Sequence, residues 1–383
     1  MKLTKLLAAS ALGLGLGLSA MAAQADTLKV AVGFPPGSAS AIGLENFAKY
    51  VEANSDLKVK VFPLSLLNLK ETPPGLRDGI ADIGYVLTPY YPAEYAETNL
   101  GANLSMLVTT GEQVPAPGAA MAGAMLEYVM LNCPDCLAEH KRQNQVYLGG
   151  AASTDYVLLC TTPIRTLEDV KGKKIRSGAA NFGRWAEHFG ATKVSIPGND
   201  IYEAMSQGVI DCAMISAPEL TNLQLMDVTK DITLRVPGGV FAGSGTSNVN
   251  RDTWLELTPE QRKVMFEAAA KLLADISLDY NDLAKKNIAD AKAKGIEVID
   301  PPAEMLDASE AFVKGDMDVI AEQFTSAYGL ENVPAKIDTI SALVEKWKGL
   351  TKDGAVTDDR DALAKLYWDQ VFSKVDPATY ATD

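Results

Sequence analysis

Apolar and polar residues alternate along residues 27–33 (TLKVAVG) and again along 57–62 (LKVKVF). That two-residue period belongs to strands with one buried face. Between them, Ile42, Phe47, Ala48 and Val51 recur on one side of residues 41–54, which predicts an amphipathic helix. Pro35-Pro36-Gly37 ends the first strand. A short helix over 71–78, opened by Pro73-Pro74, leads to a third strand over 81–87 (ADIGYVL). Strands alternating with helices imply a mostly parallel sheet with right-handed crossovers. Pro89, Pro92, Pro115 and Pro117 interrupt the next stretch, and residues 119–131 form an apolar helix.

A second block repeats the pattern. Residues 146–151, 156–161, 173–177, 193–196 and 209–215 are strand-like, with helices over 182–189 and 201–207. Residues 228–236 and the glycine-rich 238–245 lead back toward the first block. From Trp254 the chain is helical. Pro259 sits in a first turn, where its missing N–H does no harm. Met265, Ala269, Leu272, Ile276, Tyr280 and Leu283 line one face of a long helix. Residues 301–383 are further helices, broken at Gly329, Pro334 and Gly354. The expected fold is α/β, a two-lobed clamshell of the periplasmic-binding type with mixed, mostly parallel sheets and long C-terminal helices. Lobe I takes residues 26–153 plus about 241–275; lobe II takes 154–240 plus part of 276–300; residues 301–383 form a helical C-terminal extension. Ligands in open α/β sheets bind at the carboxyl ends of strands, and often between domains.

The N-terminus changes the setting. Lys2 and Lys5, an apolar run over 6–21 and the small-x-small Ala23-Gln24-Ala25 have the form of a cleavable signal peptide, cut after Ala25. The run is too short and glycine-rich to span a membrane. The mature chain is therefore expected in the periplasm, without direct membrane insertion. Removing the two lysines takes the formal net charge from −14 to −16. Such a surface disfavours nucleic acid and anionic lipid. Four cysteines, Cys133, Cys136, Cys160 and Cys212, favour disulfides in an oxidising compartment. Cys133 and Cys136 are close enough to pair as a structural bond, although three pairings are open. One CxxC and two histidines, His140 and His188, leave no metal set.

At this point several short motifs converge. Residues 162–176 (TPIRTLEDVKGKKIR), 189–191 (FGA), 194–197 (VSIP) and 201–211 (IYEAMSQGVID) follow one another in order. Upstream lies 79–84 (GIADIG); downstream lie Asn250, Trp254 and Leu257. Over roughly residues 27–300 this resembles the solute-binding proteins of TRAP (tripartite ATP-independent periplasmic) transporters, the DctP-like family for C4-dicarboxylates and other organic acids. The resemblance implies a protein that hands an organic acid to the membrane permease subunits of a TRAP transporter. It also implies that the arginine ending "KIR", Arg176, grips the ligand carboxylate. The pattern departs from the family where Ile215 holds a position often occupied by Asn, and where Tyr156 stands near the place of a second basic residue. Those departures argue against a plain C4-dicarboxylate.

Arg176 is also a sound choice on physical grounds. It ends a strand, is followed by Ser177-Gly178, and carries a planar fork that matches a carboxylate. The competing use of Arg176 is a local ion pair, for instance with Asp169. Further candidate contacts at predicted strand ends are Phe34, Ser38, Tyr85 and Tyr90 from the first block, and Thr154, Tyr156, Asn181, Phe182 and Ser216 from the second. Trp185 is expected in the core. Bending is expected near Gly238-Gly239 and near Ser153. Residues 243–245 do not make a nucleophile elbow, and Gly172-Lys173-Lys174 lacks the rest of a phosphate loop. No catalytic residues and no cofactor are expected. The alternative class is an ABC-type binding protein or a ligand-sensing partner of a membrane receptor.

Overall fold

The computed structural model describes residues 27–383, so the expected leader, residues 1–25, lies outside the described residues. Two sheets organise the chain. The first contains β1 (Thr27–Val32), β2 (Lys58–Pro63), β3 (Ile83–Leu87), β4 (Gln145–Val146) and, arriving late in sequence, β10 (Ser244–Asn250). Its order is β2-β1-β3-β10-β4. β1 runs parallel to β2 and β3, whereas β10 is antiparallel to β3 and β4. The second contains β5 (Tyr156–Cys160), β6 (Lys174–Ser177), β7 (Thr192–Ser195), β8 (Cys212–Ser216), β9 (Asp231–Thr233) and β11 (Glu297–Ile299), ordered β11-β9-β5-β8-β6-β7. Each sheet has its own apolar core.

β10 does not look like a central strand. Its sequence, SGTSNVN, is mostly polar, yet every residue is buried. Neighbours satisfy several of its polar side chains, although Ser247 Oγ and Asn248 Oδ1 have no partner among the described residues. Asn248 Nδ2 donates to Gln145 Oε1 at 3.1 Å, and Asn250 Nδ2 donates to Leu76 O at 2.8 Å. The strand expected over 146–151 contracts to Gln145–Val146. Beyond it, Thr246 N donates to Gly149 O, and the backbones then cross so closely that a Cβ on Gly150 would lie 1.6 Å from Ser244 O. Only glycine fits that crossing.

Two chain segments join the sheets side by side. Asp155 bridges Val240 antiparallel, Ser153 N donates to Phe241 O, and Tyr156 N donates to Gly239 O. These are the segments where bending is expected from the sequence. A third connection is the helix Pro259–Ala293, opened by a Thr258/Gln261 capping box. Its Met265, Phe266 and Leu272 belong to the first core and its Ala291 to the second.

The C-terminal helices are built into both lobes. In Ala303–Ser326, Met305 and Phe312 enter the second core while Ile320 and Phe324 enter the first. Pro334 stands at the start of the helix Val333–Leu350 and does not break it, because proline is tolerated in a first turn. That helix lays the Trp347 ring against Gly123 of Pro117–Glu127, an apolar helix buried on nearly every side. Trp347 Nε1 donates to Glu127 Oε2 at 2.8 Å. Cys133 and Cys136 are joined by a disulfide. A second disulfide, Cys160–Cys212, ties β5 to β8; the sequence reading left that pairing open. Among the described residues, no helix is long and apolar enough to cross a membrane, and no His/Cys/Asp/Glu cluster is arranged to hold a metal ion.

Candidate ligand-binding cleft

Where the lobes meet, a cleft of about 520 Å³, including its mouth, is lined by residues from both. The first lobe gives Phe34 and Leu69 from loops, Tyr85 and Leu87 from β3, and Tyr90. The second gives Tyr156 from β5, Arg176 from β6, Ile215 and Ser216 from β8, and Glu219. Ser153 and Phe241 come from the crossing segments, and Ile276 and Tyr280 from the helix Pro259–Ala293.

Most of the wall is aromatic. Tyr156 lies between two rings, with Phe182 stacked at 4.3 Å behind it and Phe241 nearly parallel at 6.5 Å. Phe34 meets Tyr85 edge-on at 5.4 Å. Such faces present flat apolar area with fixed polar tips.

Arg176 is the cation of the cleft and is only 2% exposed. Its Nε donates to Ile196 O at 3.1 Å and its Nη2 to Tyr90 Oη at 3.2 Å. The same Tyr90 oxygen accepts from Gly198 N at 2.9 Å. The rest of the guanidinium fork is left for a ligand. Among the described residues no carboxylate stands within ion-pairing distance of it; by contrast, Arg184 in the same lobe lies 2.7 Å from Asp316. Asp169 does not neutralise Arg176, because its Oδ2 accepts from the backbone of Arg165 and Thr166 as a helix cap. A buried cation compensated only by neutral oxygens is a strong recruiter of anions at short range.

Glu219 is the acidic member, 5% exposed. Burial pushes its carboxyl up to about 7, and the Tyr280, Asn222 and Ser216 groups and the Arg176 charge only partly oppose this. Its position is fixed from below. Asn287 Nδ2, on the long helix, donates to Ala217 O and Pro218 O, the two carbonyls just before Glu219.

Polar contacts hold the lobes together around the cleft. Besides Tyr90 with Arg176, Asn199 Nδ2 donates to Gly33 O, Leu69 N donates to Asn199 Oδ1, and Ala39 N donates to Asn222 Oδ1. Of the residues expected from the sequence, Arg176, Tyr156, Phe34, Tyr85, Tyr90 and Ser216 come together here, with Ile215. Four others do not line it. Ser38 is the N-cap of the helix Ala39–Asn54, accepting from Ala41 N. Asn181 donates to Ser105 Oγ from a buried site. Phe182 belongs to the second core, where it backs Tyr156. Thr154 is buried beside the crossing segment. Glu219 and Tyr280 were missed. The usable signal for Glu219 was its place just past the carboxyl end of β8, where α/β folds put ligands.

Two lobes, paired crossing segments and a deep cleft between them are the architecture of a solute-binding protein. The chain belongs to family 7 of the bacterial extracellular solute-binding proteins, whose DctP model matches residues 31–323. A "Solute-binding protein" of Albidiferax ferrireducens is 27% identical over 318 residues, 81% of this chain and 89% of that one. The fold is shared with a TRAP solute-binding protein specific for aromatic acid ligands, from an unidentified marine microbe, in complex with metahydroxyphenylacetate. That match has TM-score 0.72 and 20% identity, covering 84% of this chain and 99% of the other. It is also shared with the ectoine-binding protein of the TeaABC TRAP transporter of Halomonas elongata, at TM-score 0.71 and 18% identity, covering 84% and 100%.

Proposed function

We propose that this chain captures a small organic acid outside the cytoplasm and delivers it to the permease of a TRAP transporter. The ligand carboxylate meets the free part of the Arg176 fork. Its body lies against the rings of Tyr156, Phe241, Phe34 and Tyr85, which favours a flat, unsaturated or aromatic monocarboxylate. The observation that carries this reading is the buried guanidinium of Arg176, which opens on an aromatic cleft without a carboxylate partner.

Charge and solvation explain how a chain of net charge −14 takes an anion. The overall field is screened within about 8–10 Å, whereas the hydrogen bonds to Arg176 act in a site shielded from water. Closure is a shift toward the state that the ligand prefers. Tyr90 is placed to participate, since it links Arg176 and Gly198 of one lobe to the other.

The test is a thermal-shift screen of the mature protein against monocarboxylates, C4-dicarboxylates, sugars and amines, followed by calorimetry. Aromatic monocarboxylates should raise the melting temperature most. A protein stabilised only by uncharged or cationic solutes would exclude the reading.

A further inference from the structure

We propose that Glu219 forms a second polar subsite in the cleft, which selects acids carrying a hydroxyl group on the ring, remote from the carboxylate. This rests on the reading of Arg176 as the carboxylate anchor.

The cleft contains one buried cation and one buried acid, and they are not paired with each other. Tyr280, Asn222 and Ser216 stand close enough to Glu219 to ease its ionisation, yet by hydrogen-bond geometry Glu219 Oε2, Ser216 Oγ and Asn222 Nδ2 are each left without a well-aligned partner among the described residues. Buried polar atoms are nearly always satisfied, so an unpartnered group facing a cavity marks a place for a ligand atom. The residues around Glu219 are the tyrosines Tyr85 and Tyr280, with Ser216 and Asn222 beside it and Arg176 as the nearby cation. None of these supplies a second positive charge. Arg176 and Glu219 both line the cleft, so an aromatic acid held by its carboxylate at Arg176 would turn its far edge toward Glu219.

The chemistry at that end narrows the substituent. A second carboxylate would meet a group that is itself an acid, in a desolvated site, so dicarboxylates are disfavoured. An ammonium would require Glu219 to ionise fully, against the burial that raises its carboxyl to about 7. A hydroxyl requires neither. It donates to an oxygen of Glu219 in either protonation state. A site built to hydrogen-bond such a group discriminates against the analogue lacking it, because the buried oxygen is then left unpaired. Rigidity supports selection, since Asn287 clamps the turn that carries Glu219 and Asn222 is engaged with Ala39 N across the lobes.

The experiment compares benzoate with 3- and 4-hydroxybenzoate, and phenylacetate with its 3- and 4-hydroxy forms, by calorimetry on the full mature chain. The better hydroxylated acid should bind wild type at least about tenfold more tightly than its parent, as expected for one hydrogen bond to a charged or acidic group. In Glu219→Leu that preference should fall to within about twofold of unity, whatever the affinity of the parent acid itself; in Glu219→Gln, which keeps an acceptor and the shape, part of it should remain. A preference that persists in Glu219→Leu, its absence in wild type, or tighter binding of 3-(aminomethyl)benzoate than of the hydroxy acids would each overturn the subsite. If benzoate binds through Arg176 without a hydroxyl preference, only the subsite fails. If no aromatic acid binds at all, the anchor reading fails and the subsite with it.

Discussion

Replacing Arg176 by alanine removes the buried cation of the cleft. Two of its N–H groups are already engaged, on Ile196 O and Tyr90 Oη; the others are available to a carboxylate. Truncating one partner of a buried, hydrogen-bonded charge pair costs about 2–5 kcal/mol of affinity, or about 30-fold to several-thousand-fold. Arg176→Lys should recover little of this. A lysine keeps the charge but not the fork, and it cannot serve Ile196 O, Tyr90 and a bidentate ligand together. Isothermal titration of the best ligand from the thermal-shift screen measures the change, with the melting temperature of each unliganded variant as a folding control. Affinity within about threefold of wild type in a folded Arg176→Ala would refute the anchor.

Four further outcomes follow from the packing. Tyr90→Phe removes the oxygen shared by Arg176 and Gly198, so ligand affinity should fall and small-angle scattering of the unliganded chain should show a more open particle; an unchanged profile would count against a role in closure. In the chain-entropy view, removing Cys160–Cys212, which closes a separation of 52 residues, costs about 4 kcal/mol, against about 2 for Cys133–Cys136, so paired Cys→Ala variants should melt in that order. Trp347→Ala empties the contact over Gly123 and removes one donor from Glu127, which keeps Lys346; this should cost about 3–5 kcal/mol in denaturant unfolding, and a loss under about 1 kcal/mol would mean that the C-terminal helices are not part of the core. Because the Glu219 carboxyl is raised to about 7 from 4.5, the folded chain holds its proton more tightly than the unfolded chain. Its effect favours folding below about pH 4.5 and is lost as pH rises toward 7, so Glu219→Gln should gain stability over wild type between pH 5 and pH 8, and a pH-independent difference would contradict the shift.

What could be inferred from the sequence divides along physical lines. β1, β2 and β3 follow a period that one buried face imposes, so their positions are visible in residues 27–87. β10 was invisible because its burial is sustained by partners far away in sequence, Gln145 and Leu76, and not by apolar side chains. The second disulfide was hidden for a related reason. Cys160 and Cys212 both sit on strands that the pattern marks, but only the sheet order makes β5 and β8 neighbours. In the cleft, strand ends and aromatic residues pointed to Arg176, Tyr156, Tyr85 and Tyr90. Asn181 and Phe182 met the same criteria, yet their helix turns them inward, a choice that depends on packing against Ser105 and Tyr156. Glu219 lies beyond Pro218, where no local periodicity operates.

The helix Pro259–Ala293 has 35 residues and takes part in both cores, giving a rod about 50 Å long. A jaw hung only on two extended segments would swing freely, but one also bolted to such a rod opens by flexing it. In the function proposed above, the gape would behave as a spring with a rest position, and the ease of unloading would depend on the stiffness of a helix whose Ile276 and Tyr280 also line the cleft.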